Sequence, residues 1–113
     1  MLLDKMYPER YIKGMRYKLQ STKQFDRWMA GLKDFSVKTK ILARLARIEN
    51  GNFGDFKQID SSLFELRFFF GSGLRIYYTI RNGQVVFLLA GGNKSSQKRD
   101  IEKAAGLLGE LED

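Results

Sequence analysis

The stretch that most constrains this chain is residues 63–94, LFELRFFFGSGLRIYYTIRNGQVVFLLAGGNK, three strand-like runs separated by two glycine-containing breaks. Side chains on a strand switch faces at every residue. Phe64, Leu66 and Phe68 therefore point one way, and Glu65, Arg67 and Phe69 the other. In the second run Leu74, Ile76, Tyr78 and Ile80 share one face, with Arg75, Tyr77, Thr79 and Arg81 opposite. Gly71-Ser72-Gly73 predicts a hairpin turn between these runs, because glycine takes positive φ without a Cβ penalty. Asn82-Gly83 predicts a second hairpin, since both residues tolerate the left-handed conformation of a type I′ turn. The third run, residues 84–90, carries no charge and is apolar at both parities from Val85 onward. That pattern predicts a strand covered on both sides, in the middle of a sheet.

The rest of the chain reads as cover for this sheet. Residues 15–20 alternate, with Met15, Tyr17 and Leu19 on one side, which predicts a short strand joining the sheet. Ser21 with Gln24 three residues on is a capping-box pattern, and Phe25, Trp28, Met29 and Leu32 follow at helical spacing. Asp34 or Ser36 can cap a second helix whose apolar stripe is Val37, Ile41, Leu42, Leu45 and Ile48, with Lys38, Lys40, Arg44 and Arg47 off it. Residues 56–59 read either as a fourth short strand or as a loop edge. After Gly91-Gly92-Asn93, Ser95 or Ser96 can cap a last helix with Ile101, Ala104, Ala105, Leu108 and Leu111 on one side. Gly91-Gly92 is best explained by tight turning. The fold class is α+β, with element order β-α-α-β-β-β-α and a mostly antiparallel sheet of about four strands. Two N-terminal helices pack on one face, and a C-terminal helix closes the order. Its 113 residues suit a single domain, with residues 1–13 a loosely ordered arm.

Composition excludes several chemistries. The chain has no cysteine and no histidine, so disulfides, the usual zinc sites and a Ser-His-Asp hydrolase are set aside. No metal and no cofactor are expected. No apolar run approaches the roughly 18 residues of a membrane span, and the first residues are too charged for a secretory signal. A cytoplasmic protein without membrane partners is expected. The formal net charge is +7, from 20 Lys and Arg against 13 Asp and Glu. Most of that excess lies in residues 1–60, which suits a polyanion or an acidic protein segment as partner and is also compatible with ordinary solubility.

If the helices cover the apolar side of the hairpin, the opposite side presents Glu65, Arg67, Arg75, Tyr77, Thr79 and Arg81 together. Guanidinium is planar, always charged and bidentate toward phosphate, so two or three of them on rigid strands can clamp a phosphodiester. The alternative is a cross-strand ion-pair ladder on a solvated face. Lys94 follows the third strand, where chains often place functional groups, or is simply an exposed loop residue. Arg44 and Arg47 can hold phosphate from the second helix, or line a solvated helix face.

Three segments, Glu65-Leu66-Arg67, residues 71–78 (GSGLRIYY) and residues 91–97 (GGNKSSQ), carry a family likeness. The chain resembles the toxins of the RelE/ParE superfamily, in the HigB-like branch of phage-derived addiction module killer proteins of type II toxin-antitoxin systems. The resemblance implies a cytoplasmic toxin that, in RelE-like members, cuts mRNA in the ribosomal A site by metal-free chemistry. There the RNA 2′-hydroxyl attacks the adjacent phosphorus while basic residues stabilise the charge. It places Arg75 at the family's phosphate-contacting arginine and Lys94 near a second basic position; from the sheet and helix faces, Arg67 joins them as a phosphate ligand, and Arg44, Arg47 and Arg81 are further candidate RNA contacts. Leu63 and Glu65 stand where RelE carries lysines, and Asp100 where it carries a tyrosine. Glu65 or Asp100 would then act as general base, with Tyr77 as acid. The implied partners are an antitoxin encoded nearby, a helix-turn-helix protein, together with the ribosome and mRNA, and no small-molecule substrate. The same likeness covers a ParE-like inhibitor of DNA gyrase and an inactive domain that only binds its antitoxin.

Overall fold

A computed structural model describes residues 16–112. The proposed arm at residues 1–13 and Met15 of the first strand lie outside the described residues. In order come β1 (Lys18–Ser21), α1 (Lys23–Ala30), α2 (Phe35–Glu49), β2 (Phe56–Gln58), β3 (Phe64–Arg67), β4 (Arg75–Arg81), β5 (Val85–Gly92), a 3-10 turn (Lys94–Ser96) and α3 (Gln97–Glu112). The five strands form one sheet in the order β1-β5-β4-β3-β2. β1 runs parallel to β5, and the other pairs are antiparallel.

Several expectations are corrected. The sheet has five strands, because residues 56–58 do pair with β3 at its edge. β4 takes the central place; β5 lies between it and β1. The two-sided apolarity of β5 comes from helices on both faces and from a bulge at Leu89, where the pairing shifts from Tyr77 opposite Ala90 to Tyr78 opposite Leu88. The extra residue turns Leu89 as well as Ala90 toward one side while Leu88 keeps to the other.

The caps follow from hydrogen bonds that the sequence signal did not rank. Thr22, rather than Ser21, caps α1: its hydroxyl accepts from the Phe25 N–H at 3.0 Å and donates to the Leu89 carbonyl at 2.7 Å. Asp34 caps α2, its carboxylate accepting from Ser36 N–H at 2.9 Å. Asn93 caps the 3-10 turn that precedes α3, accepting from the Ser95 and Ser96 N–H groups. The Asn82-Gly83 turn is as expected: both residues have positive φ, 55° and 66°, and the Gln84 N–H closes it on the Arg81 carbonyl at 3.1 Å. The Gly71-Ser72-Gly73 connection is longer than a tight hairpin, running from Phe68 to Leu74, whose backbone bond at 3.1 Å closes the loop.

Two apolar layers hold the sheet. On one face α1 and α2 bury Phe25, Ile41, Leu45 and Ile48 against Leu66, Phe68, Leu74, Ile76, Tyr78, Val86 and Leu88. Tyr78 stacks between Phe64 and Phe53, ring centroids 5.3 and 5.8 Å away, each pair contributing about 0.5–1.5 kcal/mol beyond its area. On the other face α3 covers Leu63, Tyr77, Leu89 and Ala90 with Ile101, Ala104, Leu107 and Leu108. Leu107 packs there where Ala105 was expected, and Ala105 is exposed. The polar side of the hairpin is therefore roofed by α3 rather than open: Glu65, Tyr77 and Thr79 are all buried.

On α2 the stripe is rotated from its expected position. Leu42 is 57% exposed, and Arg44, expected off the stripe, is 8% exposed. The core side centres on Ile41, Leu45 and Ile48, and the adjoining turn delivers the Arg44 guanidinium to three carbonyls. Nε reaches Phe53 at 3.1 Å, Nη1 reaches Arg67 at 2.8 Å and Nη2 reaches Asp55 at 2.6 Å. Its carbon lies 4.7 Å from the Phe68 ring centroid. Burial, and then the neighbouring Arg47, lower its proton affinity. Among the described residues no helix is long and apolar enough to cross a membrane.

Candidate functional site

The site lies at the end of the sheet where β3 and β5 finish, β4 begins and α3 starts. Alternation places Glu65 opposite Tyr77 and Arg67 opposite Arg75 in the β3–β4 register. Two arginines facing each other would repel. Glu65, one strand position away and 1% exposed, offsets this: its Oε2 lies 3.7 Å from the Arg75 Nε and 3.8 Å from the Arg67 Nε. These are ion-pair distances without hydrogen-bond contact. The other carboxylate oxygen is fixed by Gln97, whose Nε2 donates to Oε1 at 2.7 Å.

The cluster is left chemically unfinished. Glu65 Oε2, Arg67 Nε, Arg75 Nε and the Tyr77 hydroxyl are all buried and have no hydrogen-bond partner among the described residues. Buried polar atoms are rarely left without partners, so four in one place single this spot out as the candidate site. Arg75 spends one nitrogen on the carbonyls of Gly73 at 3.1 Å and Leu74 at 3.4 Å, which aims the rest of its guanidinium at the cluster. Arg67 keeps 39% of its side chain exposed, so one of the two cations reaches solvent.

Two glycines shape the floor. Gly91 and Gly92 are strand residues paired with Ile76 and Arg75, so tight turning does not explain them. A Cβ on Gly91 would overlap the Trp28 ring of α1, and one on Gly92 would overlap the Asp100 carboxylate of α3. They let both helices approach the sheet closely. Asp100 is buried there and accepts from the Ser96 hydroxyl.

Lys94 stands exposed at the mouth. Its backbone N–H bonds to the Ser72 carbonyl at 3.3 Å, and its Cβ is 3.2 Å from where Gly73 would carry one. The loop before β4 and the turn before α3 are thus tied together, with Arg75 and Lys94 both close to Gly73. Tyr77 lies behind Glu65 with no accessible surface. Burial, then the Glu65 and Asp100 carboxylates, hold its hydroxyl well above the usual phenol range.

Of the residues singled out in the sequence, Glu65, Arg67, Arg75 and Lys94 come together, with Tyr77 sealed behind them. Arg81 sits at the far end of β4, six residues from Arg75 and so about 20 Å away. Arg44 and Arg47 belong to α2, over the other face of the sheet; Arg44 is consumed by carbonyls and Arg47 is exposed. Gln97 was assigned no role, and Ser96 was expected only as a helix cap. A polar side chain in the first turn of a helix that follows a glycine pair was the available signal.

This architecture, a five-stranded mixed sheet with α1 and α2 on one face and α3 on the other, is the RelE-type toxin fold. It matches a mutant of the E. coli toxin RelE in the free state with a TM-score of 0.64, covering 81% of this chain and 97% of that one at 17% identity. It also matches a chain of the intact E. coli RelBE toxin-antitoxin complex with a TM-score of 0.55, covering 68% and 95% at 17% identity. At such identity the fold is what is shared. The chain belongs to the family described as Phage derived protein Gp49-like (DUF891), whose model matches residues 27–107, a family of the RelE/ParE toxin type. An uncharacterized protein of Haemophilus influenzae is 44% identical over 97 residues, spanning 86% of this chain and 98% of its own length.

Proposed function

We propose that this chain is the toxin of a type II toxin-antitoxin module of the HigB-like branch, acting in the cytoplasm as a metal-free, ribosome-dependent endoribonuclease. The observation that carries the reading is the facing Arg67–Arg75 pair with both Nε atoms unpartnered around Glu65. A phosphodiester entering beside Gly73 would meet two guanidiniums, with the Lys94 ammonium at the rim. In the cleavage step the RNA 2′-oxygen bonds to phosphorus as the bond from phosphorus to the 5′-oxygen breaks, leaving a cyclic phosphate. Arg67 and Arg75 hold the extra negative charge of the transition state, and Lys94 faces the outer oxygens. Glu65, buried between the arginines, holds them in place; the 2′ proton leaves to the solvent side, and the departing 5′-oxygen gains a proton from it. Tyr77 has no path to that oxygen with α3 in place, so its part is limited to its buried neighbours.

The RelBE neighbour supports an antitoxin as partner, and a helix-turn-helix protein encoded nearby is the form expected. A second reading, a ParE-like gyrase inhibitor that requires no catalytic residue, is favoured by the deep burial of Glu65 and Tyr77. Induced expression in bacteria, with growth followed beside mapping of mRNA 5′ ends, decides between them. Arrest with new cuts inside translated codons supports the nuclease. Arrest with intact mRNA and DNA damage moves the assignment to gyrase, and unhindered growth leaves an antitoxin-binding domain.

A further inference from the structure

Glu65 holds its two arginines in an uncommon way. A carboxylate beside a guanidinium often takes a fork-on-fork pairing, both oxygens accepting from two N–H groups of one arginine. Here a single oxygen, Oε2, stands 3.7 Å from Arg75 Nε and 3.8 Å from Arg67 Nε, close enough to neutralise both and too far to bond either. The other oxygen is withdrawn from the arginines, because Gln97 Nε2 donates to Oε1 at 2.7 Å. The last torsion of a glutamate is broad, so its carboxylate turns readily unless something holds it. Since Oε2 has no hydrogen-bond partner among the described residues, the amide on Oε1 is what fixes that rotation.

We infer that Gln97 is the positioning residue of the arginine pair: by occupying Oε1 it keeps Glu65 from closing on either guanidinium, and so leaves both Nε donors open to a phosphate oxygen. The inference rests on the phosphodiester reading of the cluster and names the side chain that keeps the cluster open. Gln97 is well placed for this. It opens α3 directly after a turn that is closely tied. There Asn93 Oδ1 accepts from the Ser95 and Ser96 N–H groups at 3.0 and 3.2 Å, and the Ser96 hydroxyl accepts from the Asn93 N–H at 3.2 Å. Three residues beyond Gln97, the buried Asp100 carboxylate accepts from the Ser96 hydroxyl, at a spot where Gly92 lets it approach the sheet. A first turn held in this way leaves the amide little freedom, as positioning requires. The residue type also fits. A lysine or arginine there would pair with Glu65 and draw its charge away from the arginines, whereas an amide donates without any charge of its own.

The test compares the full chain with Gln97→Met and Gln97→Leu, which match glutamine closely in helix propensity and lack a donor. One readout is the set of arginine Nε–H signals in nitrogen-proton spectra; the other is cleavage of mRNA on programmed ribosomes. In both variants the Nε–H signal of Arg67 or Arg75 should move downfield and exchange more slowly with water, as Glu65 closes on it, while that of Arg44 stays in place. The kcat should fall roughly 10- to 100-fold, with KM for the ribosome little changed and the thermal midpoint retained. Unmoved Nε–H signals would overturn the inference, and so would moved signals with undiminished cleavage. A loss of kcat matched by a fall in the thermal midpoint would also overturn it, reducing Gln97 to a structural contact. If the unaltered chain cuts no mRNA, the nuclease reading fails, and the arginine signals alone decide whether Gln97 holds Glu65 off the pair.

Discussion

Arg44, on α2, and Arg75, on β4 under α3, are buried to the same degree, each 8% exposed, and are treated in opposite ways. Arg44 has a carbonyl for each of its three nitrogens and an aromatic ring against its face. Arg75 has backbone acceptors for one nitrogen, an ion-pair neighbour at 3.7 Å and an Nε with nothing to donate to. Burial alone therefore says little about a cation's purpose. What separates a brace from a binding group is whether the protein itself uses up the donors.

Breaking each side of the comparison should give different losses. The largest is functional: Arg75→Ala with Lys94→Ala should reduce RNA cleavage by roughly 100- to 1,000-fold and abolish growth arrest, which cut-site mapping and growth curves would show. Unchanged arrest would end the nuclease assignment. Next, Arg44→Ala strands three buried carbonyls and should lower stability by roughly 3 kcal/mol in denaturant titration, with activity per folded molecule retained. Gly91→Ala, which drives a methyl into Trp28, should cost about 1–3 kcal/mol by the same titration.

Tyr77→Phe sharpens the comparison from the other side. Its hydroxyl has no partner at hydrogen-bond geometry among the described residues, so its removal near neutral pH should change stability by less than about 1 kcal/mol. Loss of cleavage in this variant would give the buried phenol a chemical role after all. The smallest effect is on pH dependence. Burial raises the Tyr17, Tyr77 and Tyr78 hydroxyls in the folded chain above the ordinary phenol value of about 10. Unfolded chains lose these protons first, so stability is complete below about pH 10 and declines as pH rises beyond it. Thermal unfolding across that range should show the decline, less steep in Tyr77→Phe.

Features written in adjacent residues were legible in the sequence. Asn82-Gly83 specifies its own turn, and alternation in residues 64–81 correctly sorted Leu66, Ile76 and Tyr78 from Glu65, Arg67, Arg75 and Tyr77. Alternation says which side chains share a face and nothing about what lies over that face, so the roof made by α3 was not visible. Arg44 was unreadable for a related reason. Its partners are backbone carbonyls of Phe53, Asp55 and Arg67, and a carbonyl looks the same in every residue. Gly91-Gly92 was seen but given the wrong cause, because the ring and carboxylate that require it belong to Trp28, far back in the chain, and to Asp100, on the helix that follows.

The pairing of β1 with β5 has a consequence for how the molecule comes into being. Lys18 sits beside Val85, and the hydroxyl that caps α1 is itself anchored on Leu89. A nascent chain that has not yet reached these residues offers its first strand no neighbour and its first helix no anchor. Closing so long a loop is slow, and it must wait for β5. Since the cluster draws on residues from Glu65 to Asp100, the site cannot assemble until the machine that translates this protein has passed Asp100.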